Sequence, residues 1–248
     1  MNSIQMAFLL TTIAGLSTML GTLPIFIKLK NENKIIAGSL SFAAGVMTCV
    51  SITDLIPESI TMLEQSYNGI IIVILVFIFL MIGIIASTFI DKALPTTTTN
   101  SSLYKVGIIS MLAIILHNLP EGIATFISTT KDTSLGISLT LAIALHNIPE
   151  GVSISVPIYY ATKSRNKALL YTFISSLSEP LGAILTYFFL LPFVNDILLG
   201  LLFAFIAGIM IQISLTELLP TSSSYQLPKT SKLFFIIGVI FMLLKFFI

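Results

Sequence analysis

Both histidines of the chain lie in copies of one hexapeptide, His-Asn-x-Pro-Glu-Gly, at His117–Gly122 and His146–Gly151. A histidine and a glutamate four positions apart share one helix face, so each copy presents an imidazole together with a carboxylate. The asparagine lies about 100° round the helix from its histidine and can reach a second centre beside the first. Such nitrogen and oxygen donors suit a divalent transition metal, with zinc as the leading candidate.

One further carboxylate, Glu179, stands before a proline in a later apolar stretch. The predicted metal ligands are therefore His117, Asn118, Glu121, His146, Asn147, Glu150 and Glu179. Three ionised carboxylates are improbable in a medium of low dielectric unless they are protonated or neutralised, and a divalent cation would neutralise them. The proline in each hexapeptide also frees a backbone carbonyl, which is tolerated inside a membrane only against protein or a polar cavity.

Three other interpretations of these residues stay open from the residues alone. A histidine in a membrane helix can bridge helices by hydrogen bonding, although two hexapeptide copies with a third glutamate favour a metal. An intramembrane metalloenzyme would carry His-Glu-x-x-His on one helix, and this sequence lacks that motif. A metal sensor would bind zinc without moving it. We predict a transporter and not an enzyme.

The amino-acid composition of the chain is that of a membrane protein. Of the 248 residues, 56% are hydrophobic and 9% are charged, against about 45–50% and about 25% in soluble domains. The net charge of +1 gives no field for nucleic acid, so the lipid bilayer is the expected partner. Continuous apolar stretches of about 20 residues predict spanning helices. We predict eight, at about 5–27, 35–57, 69–91, 104–127, 135–159, 167–190, 197–219 and 232–248.

The distribution of basic residues predicts the orientation. Ten of the twelve Lys and Arg residues fall in alternate loops, those after the first, third, fifth and seventh spans. The positive-inside rule places these loops in the cytoplasm and both termini outside. His117 and His146 then lie near the middle of the bilayer on two neighbouring antiparallel helices.

A second repeat is present in the second and seventh spans. Thr53–Ser59 closes the second predicted span and Thr216–Ser222 closes the seventh, which places the two segments at opposite membrane faces. This pattern predicts an all-α membrane fold of 3+2+3 helices, in which spans 1–3 and 6–8 are inverted repeats. The plainer interpretation is that acid-x-x-Pro is an ordinary helix ending. In the transport interpretation Asp54 and Glu58 form an entrance and Glu217 an exit.

These motifs resemble the ZIP family of metal-ion transporters, specifically its bacterial ZupT-like branch. The resemblance rests on HNLPEGIATF at 117–126, AIALHNIPEGVSISVPIYY at 142–160 and SEPLGA at 178–183. It extends to DLIPES in the second span and SLTELLP in the seventh, and so covers nearly the whole chain. Thr216 departs from the family pattern, in which an acid is common there, and this puts a second exit carboxylate beside Glu217 in doubt.

The resemblance implies one transmembrane transporter domain over 1–248 in the cytoplasmic membrane of a bacterium, with a homodimer left open. It implies uptake of zinc foremost, and of iron, manganese, cobalt and cadmium, through an elevator-like movement, with no resident cofactor. A binuclear site would lie between the fourth, fifth and sixth helices. His117, Glu121, His146 and Glu150 would hold the first ion, and Asn118, Asn147 and Glu179 would hold the second, with Glu121 and Glu150 as bridges.

Overall fold

The computed structural model describes residues 2–27, 31–93, 99–190, 193 and 195–244, and nearly all of these are helical. Seven helices in this part of the chain are long and apolar enough to cross a membrane. An eighth, Pro228–Leu243, follows them; residues 245–248 of the eighth predicted span lie outside the described residues. The all-α membrane class predicted from composition is therefore confirmed.

We number the eight helices in chain order. They are α1 Ser3–Phe26, α2 Glu32–Glu64, α3 Gly69–Ala93, α4 Thr99–Lys131, α5 Thr133–Thr162, α6 Arg165–Leu190, α7 Asp196–Ser224 and α8 Pro228–Leu243.

The acidic motif of α2 lies inside its helix, not at the end as the sequence suggested. A stretch of π-helix, Ser51–Leu55, carries Asp54, and an α-helical segment, Ile56–Glu64, follows it. Pro57 sits in the first turn of that segment, where a missing backbone donor costs little. The helix continues past the predicted end of the second span at residue 57, because the wider turn before the proline lets it continue.

The same local structure recurs in the second copy of the motif. Ser214–Leu218 in α7 is also π-helical and carries Glu217, and Leu219–Ser224 continues the helix with Pro220 in its first turn. Single π-helical turns within α-helices often occur at functional sites. Matching irregularities at matching residues argue against an ordinary helix ending and indicate that α2 and α7 are structural counterparts.

Two hydrogen bonds show that these counterparts run in opposite directions. The hydroxyl of Ser59, near the end of α2, donates to the carbonyl of Gly200 near the start of α7, at 2.6 Å. The hydroxyl of Ser222, near the end of α7, donates to the carbonyl of Ala37 near the start of α2, at 2.8 Å. In each bond a serine near the end of one helix contacts a residue near the start of the other, so exchanging α2 and α7 converts one bond into the other. The predicted inverted repeat requires this correspondence.

Close glycine contacts repeat the same relationship with α3 and α8. Gly45 of α2 packs so tightly against the carbonyl of Phe235 in α8 that a Cβ atom would not fit, and Gly208 of α7 packs in the same way against Leu80 in α3. Small residues allow membrane helices to approach this closely. Helices α2, α3, α7 and α8 therefore form one tightly packed framework beside the central pair α4 and α5.

Candidate metal centre

The two hexapeptides pair with each other across α4 and α5. His117 Nε2 lies 2.8 Å from Glu150 Oε1, and His146 Nε2 lies 3.3 Å from Glu121 Oε2. The pairing is reciprocal because the two helices run antiparallel after a connection at Asp132. The imidazole of each copy thus faces the carboxylate of the other copy.

Glu179 of α6 joins the same cluster through the two asparagines. Asn118 Nδ2 donates to Glu179 Oε1 at 3.3 Å, and Asn147 Nδ2 donates to the same oxygen and, at 2.9 Å, to the carbonyl of Ala14 in α1. The carboxylate of Glu179 is fully buried. The structure therefore brings all seven predicted ligands into one buried polar cluster, ordered by contacts with α1 and α6.

Glycines bring those outer helices close enough to reach the cluster. Gly122, directly after the glutamate of the first hexapeptide, packs against the carbonyl of Glu179 in α6. Gly151, in the second copy, packs against the carbonyl of Thr18 in α1. Neither position has room for a Cβ atom. The final glycine of each hexapeptide is therefore a packing residue that fixes the distance between the central pair and its neighbours.

The cluster presents several oxygen atoms that are buried and lack a hydrogen-bond partner among the described protein atoms. They are Oδ1 of Asn118, Oδ1 of Asn147, Oε2 of Glu150 and Oε2 of Glu179. A buried acceptor without a partner costs about 1–3 kcal/mol, and more when it is charged. All four atoms are acceptors when the glutamates are ionised, so a cation beside them would compensate them whereas an anion would not. The donor set of imidazole, amide and carboxylate groups fits zinc and its first-row neighbours.

The ligands are close but are not already arranged around one point. Within the described residues, no three His, Cys, Asp or Glu side chains form a preformed metal-binding group. Each imidazole instead contacts a carboxylate of the other hexapeptide, in two His–Glu pairs. A bound ion would replace these contacts, because the imidazole nitrogens and carboxylate oxygens that would hold it lie within 3.3 Å of each other in each pair.

A cavity of about 490 Å³ connects one end of the cluster with one end of the helices. Asp54 and Glu58 line its wall in α2, and Glu121 and His146 lie at its inner end. The side chains of His146 and Glu121 are 9% and 5% exposed, whereas those of His117 and Glu150 are 0% and 1% exposed. Access to the cluster is therefore one-sided.

Glu217, the predicted exit residue, lies apart from this cavity and from the seven ligands. Its carboxyl group contacts that of Asp91 in α3, and Lys105 of α4 is close to it. Lys105 Nζ lies 2.6 Å from Asp91 Oδ1. Glu217 thus belongs to an ionic cluster at the opposite end of the helices, formed by α3, α4 and α7.

Thr18 lies beside the second hexapeptide, and the sequence did not indicate this position. Its hydroxyl is buried and lacks a partner among the described atoms, and its backbone carbonyl packs on Gly151 as that of Glu179 packs on Gly122. Thr18 therefore occupies in α1 the place that Glu179 occupies in α6. A lone threonine in an apolar helix gives no signal in the sequence, and only the three-dimensional repeat reveals it.

Comparison with known proteins decides the family. A family model described as ZIP zinc transporter matches residues 95–245, more than half of the chain. The chain belongs to the ZIP family. Because ZIP proteins are transporters, the prediction of a transporter and not an enzyme is confirmed, as is the resemblance drawn from the hexapeptides.

Curated relatives of this ZIP protein cover nearly its whole length. The zinc transporter ZupT of Oceanobacillus iheyensis is 44% identical over 91% of each chain, and that of Streptococcus mutans is 43% identical over 88% of each. The zinc transporter ZupT of Campylobacter jejuni is 37% identical over 98% of this chain and 96% of its own. The ZupT-like branch that the motifs indicated is thus the one the similarities show.

Proposed function

We propose that this ZIP protein takes up divalent transition-metal ions, zinc foremost, across the cytoplasmic membrane of a bacterium into the cytoplasm. The observation that carries the proposal is the buried cluster of reciprocal His–Glu pairs at the end of a cavity. Ionisable side chains within a membrane are costly and mark a substrate pathway when they converge. The names of the zinc-transporting relatives support zinc as the main cargo.

The seven ligands divide between two adjacent ions in this proposal. The first ion would bind the two histidines and the two hexapeptide glutamates, and the second would bind the two asparagines and Glu179. Glu121 and Glu150 would bridge the ions. Support comes from the buried acceptor oxygens of Asn118 and Asn147 beside Glu179. The same ligands accept iron(II), manganese, cobalt and cadmium, so supply would determine which ion is carried.

The cavity, together with the positive-inside rule, supports an entrance for the ion from outside the cell. That rule places the end of α2 and the connection between α4 and α5 outside the cell, and the cavity opens at this end, with residues of both regions in its lining. The structure then corresponds to an outward-facing state in which Asp54 and Glu58 lead to His146. One transporter domain would include all eight helices.

Zinc flux into vesicles tests this function directly. The purified protein is reconstituted into liposomes that hold a fluorescent zinc indicator, and zinc is added outside. We expect a saturable signal that is absent from protein-free liposomes, and competition by iron(II) or manganese measures selectivity. Binding of zinc without any flux would instead show a sensor and would overturn the proposal.

Neutralising the two acids of the cavity tests the entrance. We expect the double variant Asp54→Asn/Glu58→Gln to raise the KM for zinc about tenfold at low ionic strength, since carboxylates in a cleft concentrate cations. The maximal rate should change little because neither group lies in the central cluster. The difference in KM should shrink near about 1 M salt, where charges are screened within about 3 Å.

Glu64→Gln is the matched control for the entrance, because Glu64 is an exposed acid at the end of the same helix but does not line the cavity. Its KM should equal that of the native protein. An equal rise in KM for Glu64→Gln and for the double variant would mean that zinc is concentrated by the negative charge of the surface in general and not by the carboxylates of the cavity.

A further inference from the structure

A second cavity, of about 460 Å³, lies at the end of the bundle where α2 and α8 begin and α1 ends. None of the seven ligands lines it, and neither do Asp54, Glu58 or Glu217. The cavity with Asp54 and Glu58 lies at the other end of α2. The second cavity is therefore separate from the metal centre and from the groups that lead to it.

The cavity is present because α2 and α8 diverge toward their first turns. At Gly238 of α8 the two backbones touch, since a Cβ atom there would collide with the carbonyl of Phe42 in α2. One turn nearer the start of α2, the atoms nearest to Gly38 are those of the Phe234 ring, 3.3 Å from the place of a Cβ atom. A side chain and not backbone therefore fills the space at this level, and nearer the rim the cavity is open.

The lining changes from polar to apolar along the helices. Lys34 in the first turn of α2 and Thr230 in the first turn of α8 stand at the rim. Gly38 and Phe234 follow them at a distance of four residues, on the same helix faces and one turn deeper. The cavity thus offers an ammonium and a hydroxyl group at the depth of lipid headgroups, and a hydrocarbon wall at the depth of acyl chains.

The charge at this rim is positive. The lining contains no Asp or Glu, and Lys34 forms no ion pair with any residue that the structure describes. Glu32, the acid closest to Lys34 in the sequence, is held by Lys163 Nζ at 2.7 Å. Both α2 and α8 also begin here, and the N-terminus of a helix is the positive end of its dipole. An anionic group is therefore favoured at the rim.

The apolar part of the cavity determines which kind of anion fits. Phe234 is 38% exposed, and Ile27, which lines the cavity just after α1, is 55% exposed. A free phosphate would satisfy Lys34 but would cover none of this hydrocarbon surface. A molecule with an anionic headgroup and an acyl chain complements both parts of the lining.

We propose that this cavity binds one anionic phospholipid of the surrounding bilayer. Its phosphate would lie between Lys34 Nζ and the hydroxyl of Thr230, and one acyl chain would lie along Ile35 and the ring of Phe234. Basic pockets between transmembrane helices bind anionic headgroups in this way. The positive-inside rule assigns this end to the cytoplasmic leaflet. The proposal does not depend on which ion the protein carries, or on whether it carries one.

Native mass spectrometry of the detergent-purified full chain tests the site. Phosphatidylglycerol, which is anionic, and phosphatidylcholine, which has no net charge, are added at equal concentrations. We expect the first bound lipid to be phosphatidylglycerol. Lys34→Gln should lower the ratio of bound phosphatidylglycerol to bound phosphatidylcholine about fivefold, the contribution of one basic residue to the binding of anionic lipid.

Lys232→Gln is the matched control, because Lys232 is an exposed lysine of α8 near the same end but does not line the cavity. It should leave the ratio at the native value. An equal fall in the ratio for Lys34→Gln and for Lys232→Gln would show that the positive charge of this end acts in general, and would overturn the site.

A second variant tests the hydrocarbon wall. Gly38→Leu places a side chain in the cavity against the Phe234 ring. Phosphatidylglycerol with a photoactivatable group on its acyl chain should label the native chain in the first turns of α2 and α8, and this labelling should be lost in Gly38→Leu. Gly69→Leu is the control, because a side chain at Gly69 meets nothing within 4 Å, and it should be labelled as the native chain is.

Three outcomes would overturn the lipid site. The native chain could bind the two phospholipids equally well, or the photoactivatable lipid could label only other parts of the chain. Inorganic phosphate added at the concentration of the lipid could also displace phosphatidylglycerol, which would show a site for a soluble anion. Because these measurements need no zinc, failure of the lipid site would leave the proposed function unchanged, and failure of zinc flux would leave the lipid site unchanged.

Discussion

Glu150→Gln should reduce zinc uptake more than about 100-fold while the protein remains in the membrane. Glutamine keeps the shape of the side chain and can still accept a hydrogen bond from His117, whose Nε2 lies 2.8 Å from Glu150 Oε1. It removes the negative charge and leaves an uncharged group at the position of the buried, unpartnered Oε2. Loss of one member of a buried charged contact costs about 3–5 kcal/mol, and each 1.4 kcal/mol is about tenfold in affinity.

The measurement is the initial rate of zinc uptake into proteoliposomes at equal amounts of reconstituted protein. His146→Ala tests the other ion pair and should have an effect of similar size, because His146 lies at the inner end of the cavity. Glu64→Gln, an exposed acid outside the cavity, should keep the native rate. Native rates for both Glu150→Gln and His146→Ala would show that the ions do not pass through this cluster.

The helices and the clustered polar residues could be predicted because each has a local signal in the chain. A continuous apolar stretch predicts a spanning helix whatever its neighbours are. The spacing of His117 and Glu121 fixes their common helix face, and the repeat of the hexapeptide indicates that a second such face exists. These features depend on the helical period alone, and the structure places all seven residues in one buried cluster.

The partners of these residues could not be predicted, because they are set by packing between helices. Spacing suggested that His117 acts with Glu121 of its own helix, whereas the structure pairs His117 with Glu150 and Glu121 with His146. The periodicity of a single helix does not determine which residue of a neighbouring helix each side chain contacts. The position of Thr18 beside Gly151 has the same origin.

The end of α2 is a second feature that could not be predicted from the sequence. Proline after an acidic motif normally indicates a helix boundary, but a turn of π-helix before Pro57 absorbs the misfit and the helix continues to Glu64. This irregularity places Asp54 on the cavity wall inside the helix. A second π-helical turn, at Ser214–Leu218, carries Glu217. The proposed entrance and the proposed exit therefore contain the same motif, in two helices that run in opposite directions.

The two ends of the molecule differ in their charges although they are related by this repeat. At the proposed entrance Asp54 and Glu58 line a cavity that contains no lysine or arginine in its lining. At the exit Lys105 contacts Asp91 beside Glu217. A bound cation is attracted at the first end and meets a competing positive charge at the second. This asymmetry suits an ion that enters at one end and is released at the other.

The last expected result concerns the number of ions. In the proposed binuclear site, Glu179→Gln should lower the zinc bound at saturation from about two ions per chain to about one and should also slow uptake. The substitution keeps an oxygen that accepts hydrogen bonds from Asn118 and Asn147, so the packing of α6 against α4 and α5 is preserved. It removes the only charge among the ligands of the second ion that is not a bridge, and a cation held by amides alone is bound weakly.

Equilibrium dialysis with detergent-purified protein gives the stoichiometry, and Glu64→Gln should retain the native value. If Glu179→Gln binds as many ions as the native chain, the second site does not depend on this carboxylate. If the native chain binds only one ion, the cluster is a mononuclear site, in which Glu179 and the two asparagines position the ligands of that ion instead of holding another.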